Sequence, residues 1–243
     1  MDIANKHVLI TGAAKRLGRA MAERLLREGA RLSAHYHTAK EEAQELEQKA
    51  TQNGQAVHCI KGDLRDPSTA KDVIDKAVAT LGPVDILINS ASLFYPTPGD
   101  SATASEWETL LSCNLTSLFF LCQHTHRTQP RGGTIVNLAD VYAERALAGY
   151  AAYSATKAGV RSLTRVLAKE WAPRWRVNAI SPGPILFPPH YTEEQKARSI
   201  DRTLLRRKGE PSDIAAAAKF LIENDYLTGV DLNVDGGRHL SLF

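Results

Sequence analysis

The feature that most narrows the choice of fold is a regular alternation of short β-branched apolar runs with longer segments of helical periodicity. The runs fall at residues 7–10, 31–36, 56–60, 84–89, 134–138, 176–180 and 230–234, lengths that suit strands rather than helices. Between the first two, Leu17, Met21 and Leu25 recur at i, i+4 and i+8, the spacing of a helix that lays one face on a sheet. Strands separated by helices cannot close through tight hairpins, so they pair in parallel through right-handed crossovers. The predicted class is α/β, doubly wound: a seven-stranded parallel sheet with helices on both faces.

No repeat, low-complexity tract or long polar linker interrupts the pattern, so residues 1–243 read as one domain. Residues 184–209 are the exception. They are rich in proline and charge, with only a short helix-like segment, and are expected to form a mobile substrate loop.

Composition excludes several classes. A hydrophobic content of 43% with 23% charged residues is that of a packed globular chain. The formal net charge is only +3, and the basic residues are scattered, which argues against nucleic acid as a partner. The apolar stretches, such as residues 118–122, are far shorter than the ~20 residues that cross a bilayer. Asp2 precedes any apolar run, leaving no room for a signal peptide, so a cytoplasmic location is expected. Cys59, Cys113 and Cys122 show no metal or redox spacing and read as small buried hydrophobes; no metal site is expected.

The first strand is followed by Thr11-Gly12-Ala13-Ala14-Lys15-Arg16-Leu17-Gly18, where small residues let the backbone approach a pyrophosphate at a helix N-terminus. With a strand before it and a helix after it, this is a dinucleotide site of Rossmann type. The run resembles the T-G-x-x-x-G-x-G motif of the short-chain dehydrogenase/reductase superfamily, with Arg16 in place of the middle glycine. That variant is similar to the pteridine reductases, in which the arginine lies beside the cofactor phosphates and reaches the substrate pocket.

After the second strand, where an NAD enzyme offers a carboxylate to the ribose, stands His35-Tyr36-His37-Thr38. An acid there would repel a 2′-phosphate, whereas Lys15, His37, Thr38 and Lys40 can bind one, so NADPH is the expected cofactor. Asp63-Leu64, after the third strand, resembles the superfamily pair that holds the adenine ring. Asn89-Ser90-Ala91-Ser92 replaces the superfamily's N-N-A-G, and the run from Ser92 through Phe94 to Pro98 is similar to the pteridine reductases. Asn89, Ala91 and Ser92 are therefore expected on the cofactor, and Ser92 also on the substrate. Phe94 offers a face on which a flat heteroaromatic ring can stack.

Tyr153 and Lys157 stand four residues apart, on one face of a helix. Hydride delivery to a C=O or C=N bond needs a proton donor at the receiving atom, and an ammonium near the tyrosine together with an oxidised nicotinamide is expected to lower its pKa. The pair precedes Ser181-Pro182-Gly183, the superfamily's order of catalytic helix, sixth strand and nicotinamide-side loop. The resemblance places Lys157 on the nicotinamide ribose, Pro182 and Gly183 beside the cofactor, and Asn114, on the fourth helix, in support of the proton relay. Where most members carry a serine about 13 residues before the tyrosine, this chain has Asp140. A carboxylate opposes charge building on a carbonyl oxygen but can serve a ring nitrogen.

These features imply reduction of a pteridine substrate, with Arg16, Ser92, Phe94, Asp140 and Tyr153 around it. A carbonyl or quinone reductase and a non-catalytic NADPH sensor are the competing readings. The resemblance also implies a homotetramer.

Overall fold

The structure is a computed structural model that describes residues 1–188 and 191–241. Its strands are β1 His7–Thr11, β2 Arg31–Tyr36, β3 Val57–Lys61, β4 Ile86–Asn89, β5 Gly133–Leu138, β6 Trp175–Pro182 and β7 Asp231–Val234. They form one parallel seven-stranded sheet in the order β3-β2-β1-β4-β5-β6-β7. Each lies within two residues of its expected place. The helices are α1 Arg16–Arg27, α2 Lys40–Gln52, α3 Thr69–Leu81, α4 Ala104–Leu111, α5 Ser117–Thr128, α6 Tyr142–Arg145, α7 Ala151–Trp171, α8 Glu193–Asp201 and α9 Pro211–Glu223.

The period-2 alternation of strand side chains divides the core in two. Val8, Ile10, Ile86 and Ile88 pack with Met21 and Leu25 of α1, Leu46 of α2 and Ile214 of α9. Leu9, Leu87, Ile135 and Val177 point the other way, against α3, α5 and α7. The two layers account for both the hydrophobic strand runs and the one-sided helices.

Two expectations need refinement. Asn114 does not sit in a regular helix: Ser112–Thr116 forms a π-helical turn between α4 and α5, a local widening often found at functional sites. Cys113 and Cys122 are buried, but Cys59 is partly exposed, and its thiol donates to the Ala43 carbonyl at 3.1 Å.

The strand order reverses between β1 and β4, and ligands of open α/β sheets bind in the crevice outside such a switch point. Here the crevice is stitched by the buried Thr11 hydroxyl, which accepts from the amides of Ser90 and Ala91 at 3.0 Å each. The segments that follow β1 and β4 are thereby held side by side.

Candidate active site

The turn after β1 is shaped by two glycines. Gly12 has φ +67°, and a Cβ there would lie 3.1 Å from the Ala91 Cα; a Cβ on Gly18 would overlap the Gly12 carbonyl. The bare backbone brings the start of α1 to the crevice, and that end has neither a side-chain cap nor an acid in its first turn. Its amides and the positive end of the helix dipole suit an anion such as a dinucleotide pyrophosphate.

His35, buried at the end of β2, braces this turn. Its Nδ1 accepts from the Gly12 amide at 3.3 Å and its Nε2 faces the Gly62 carbonyl at 3.1 Å. An acceptor on one nitrogen and a donor on the other require the neutral ring protonated at Nε2. Burial pushes its pKa down to about 4, which keeps it in that form.

Arg16 retains the backbone of the glycine it replaces, with φ +55°. Its guanidinium donates to the Leu186 carbonyl at 2.8 Å, tying the phosphate turn to the 184–209 segment. Lys15 pairs with Glu42 at 2.7 Å. His37 approaches Asp63 at 3.5 Å, and Asp63 also holds Arg65 at 2.7 Å. Thr38 is exposed just beyond β2, whereas Leu64 is buried in the core. Asn89 is also buried: its amide donates to the Asn137 side-chain oxygen at 2.9 Å, and Asn137 donates to Thr164 of α7 at 3.0 Å. Its side chain therefore links β4, β5 and α7 behind the site.

Asn114 grips the segment after β4. Its Oδ1 accepts from the Leu93 amide at 2.8 Å and its Nδ2 donates to the Leu93 carbonyl at 2.9 Å. That clamp sets the neighbouring Ser92 and Phe94. Further on, the buried Thr97 hydroxyl accepts from the Ala152 amide at 3.1 Å, capping the start of α7 from a distant part of the chain. Phe94 is thus pressed against the start of α7: it stacks on Tyr150 at 4.6 Å and meets Tyr153 edge-on at 4.8 Å.

Tyr153 and Lys157 face the crevice from α7, with only 5% and 3% exposure. The Tyr153 hydroxyl donates to Oδ2 of Asp140 at 2.7 Å, and Oδ1 of Asp140 accepts from the Tyr142 amide at 2.9 Å. Burial, then the Asp140 charge, pushes the phenol well above its ordinary range. The Lys157 ammonium does not meet the hydroxyl: it donates to the Leu138 carbonyl at 2.8 Å and lies 5.6 Å from the Tyr153 ring centre. Burial lowers the Lys157 pKa to about 8 and raises that of Asp140. In this arrangement the proton lies on the phenol, which donates a hydrogen bond to Asp140.

A cavity of about 350 Å³ gathers Gly12, Lys15, Arg16, Leu17, Gly18, Ala91, Ser92, Phe94, Asp140, Tyr153, Lys157, Pro182 and Gly183. Of the residues singled out in the sequence, His37, Thr38, Asp63, Leu64, Asn89 and Asn114 lie outside its wall. Tyr142 of α6 and Arg238 line the cavity without having been singled out in the sequence, and Leu186, Phe187, Tyr191 and Ser199 line it from within the expected 184–209 segment. Only tertiary contact brings them there, although the arginine directly after Gly236-Gly237 is a visible polar oddity. Among the described residues no cluster of potential ligands could hold a metal ion.

Comparison with known proteins places this geometry. A family model described as enoyl-(acyl carrier protein) reductase, of the short-chain dehydrogenase type, matches residues 12–239. The chain belongs to the short-chain dehydrogenase/reductase family. It is 37% identical to a probable 2,4-dienoyl-CoA reductase of Bacillus subtilis, over 97% of each chain. Among solved structures it resembles a blue fluorescent protein from a metagenomic library in complex with NADPH, with a TM-score of 0.92 and 30% identity over 98% of this chain and 99% of that one. It also resembles FolM alternative dihydrofolate reductase 1 from Brucella canis complexed with NADP, with a TM-score of 0.92 and 28% identity over 99% and 97%. Two of these three are named as reductases, one of a dienoyl-CoA and one of dihydrofolate.

Proposed function

We propose that this member of the family is an NADPH-dependent pteridine reductase acting on a pterin, a dihydropterin or dihydrofolate. The observation that carries the reading is the 2.7 Å bond from the Tyr153 hydroxyl to Asp140. A carboxyl group raised by burial and placed behind the phenol can resupply the proton that Tyr153 gives to a ring nitrogen. The same group as a carboxylate would oppose an oxyanion forming on a carbonyl. The likeness to an alternative dihydrofolate reductase supports the same choice.

The bound reduced nicotinamide supplies the hydride. The turn from Gly12 to Gly18 and the start of α1 would hold the pyrophosphate, Lys157 the nicotinamide ribose, and Ala91, Ser92, Pro182 and Gly183 the adjoining cofactor. Lys15, His37 and Thr38 would meet the 2′-phosphate, and Asp63 with Leu64 the adenine. Arg16, Ser92 and Phe94 would orient the substrate ring beside Asp140 and Tyr153, while Asn89 and Asn114 keep both walls in place. The reading takes the chain as one catalytic domain, with residues 184–209 as its substrate segment, assembled as a homotetramer in the cytoplasm.

The test is NADPH oxidation against a panel of pterins, dihydropterins, dihydrofolate, quinones and ketones. The expected result is turnover of at least one pteridine, with Asp140→Ser lowering that rate by ~10²-fold or more, the scale of a lost proton donor. Efficient turnover of quinones or ketones with no pteridine reduced would overturn the assignment.

A further inference from the structure

A second hollow adjoins the cavity that holds Asp140 and Tyr153, and Tyr142, Tyr191, Ser199 and Arg238 line both. The outer hollow, of about 470 Å³, is walled by Arg145 from α6, Arg198 from α8, Arg202 just after α8, and Arg238. No aspartate or glutamate lines it among the described residues. Four guanidinium groups on one small concavity repel one another unless anions collect there, and concave walls focus that field.

The four are differently engaged. Arg198 is neutralised by Glu194 at 2.6 Å. Arg145 reaches only main-chain carbonyls, donating to those of Arg238 and His239 at 3.2 and 3.4 Å. Arg202 is exposed, and its side chain makes no hydrogen bond or ion pair among the described residues. Arg238 is the built element. It is only 7% exposed and donates to the Ser199 carbonyl at 2.9 Å and to the Tyr142 hydroxyl at 3.2 Å. Its guanidinium also lies 5.6 Å from the Tyr142 ring centre. A guanidinium is costly to bury without an acid to meet it, and here it stands at the border between the hollows with no carboxylate bonded to it.

From this geometry we infer that the outer hollow is an anion subsite that receives a negatively charged tail, carboxylate or phosphate, carried by the substrate ring. A ring held beside Asp140 and Tyr153 would send a substituent past Arg238 toward Arg145 and Arg202. The inference rests on the pteridine reading for the ring, but the hollow's charge does not depend on it. It distinguishes substrates by their tails: folates carry carboxylates, phosphorylated pterins carry phosphate, and simple pterins carry neither.

The test compares KM for dihydrofolate, a phosphorylated dihydropterin and an uncharged dihydropterin in the wild type and in Arg145→Gln/Arg202→Gln. Because these arginines are exposed, each contact is weak, and the double change should raise KM for an anionic substrate roughly fivefold. KM for the uncharged dihydropterin and the Kd for NADPH should stay within about twofold. A rise confined to dihydrofolate identifies the tail as carboxylate, and one confined to the phosphorylated substrate identifies phosphate. Equal changes for all three substrates, or none, overturn the subsite. If the wild type reduces no pteridine, the functional reading fails separately, and calorimetry of the NADP⁺-bound protein then judges the subsite. Binding of p-aminobenzoyl-glutamate or inorganic phosphate, weakened in the double variant and by salt, supports it; absent or unaltered binding rejects it.

Discussion

At the scale of single residues, the site depends on polar groups whose charge states are set by burial. His35 illustrates this outside the reacting centre. Its neutral ring joins the Gly12 amide to the Gly62 carbonyl, and burial depresses its pKa from 6.5 to about 4. Above pH 6.5 the ring is neutral in folded and unfolded chains alike, so its full contribution is present. As pH falls from 6.5 toward 4, the unfolded chain takes up the proton first, and stability is lost through that window. Urea denaturation at a series of pH values should show the wild type losing up to about 3 kcal/mol more than His35→Gln across this range. Parallel pH curves for the two proteins would mean that His35 titrates normally and does not brace the turn. The sequence displays His35 as one letter of a ribose-binding stretch; its two partners come from other strand ends and are visible only in three dimensions.

At the scale of elements, α7 and the start of the 184–209 segment are positioned by contacts across loops. Thr97 caps α7 from the segment after β4, and Arg16 reaches from the phosphate turn to Leu186. A left-handed backbone costs a side-chain-bearing residue about 1–2 kcal/mol, so Arg16 is retained against a conformational preference for glycine. Arg16→Gly should relieve that strain while losing the tether to Leu186. Melting temperature is expected to hold within a few degrees, while KM for the dihydropterin rises several-fold and the Kd for NADPH changes little. Substantial loss of stability together with NADPH affinity would instead show that Arg16 serves the phosphate turn. The expectation of a substrate segment at 184–209 rested on its proline and charge. The structure adds α8, with a capping box between Thr192 and Gln195, a local signal legible in the sequence. The lining by Leu186, Tyr191 and Ser199 is a consequence of how that segment folds back, which local signals do not encode.

At the scale of the whole molecule, charge around the end of β2 bears on cofactor choice. Lys15, His37, Thr38 and Lys40 stand near this end, but Glu42 holds Lys15 at 2.7 Å. A 2′-phosphate must compete with that carboxylate in a solvent-exposed setting. NADPH should still bind more tightly than NADH at low salt, and titrations should show the ratio shrinking as salt rises to about 0.5 M, where the Debye length falls to a few Å. Equal affinities at low salt would remove the electrostatic basis for the preference.

The sequence by itself determined the sheet, its parallel pairing and its crossovers. Alternating apolar runs and one-sided helices admit few other burials, and the glycine turn marks the strand end where a dinucleotide can approach. That Asp140, Tyr153 and Lys157 would share one region was implied by the resemblance to the family, through positions matched to its motifs. Only the tertiary structure decided what those groups do to one another. The upward Tyr153 shift follows from burial and from Asp140 beside the hydroxyl, while Lys157 points to the Leu138 carbonyl rather than the phenol. Arg238 joins the cavity from the far end of the chain by the same kind of contact. Burial and hydrogen-bond geometry depend on distances between residues remote in sequence, and those distances exist only once the sheet has brought its loops together.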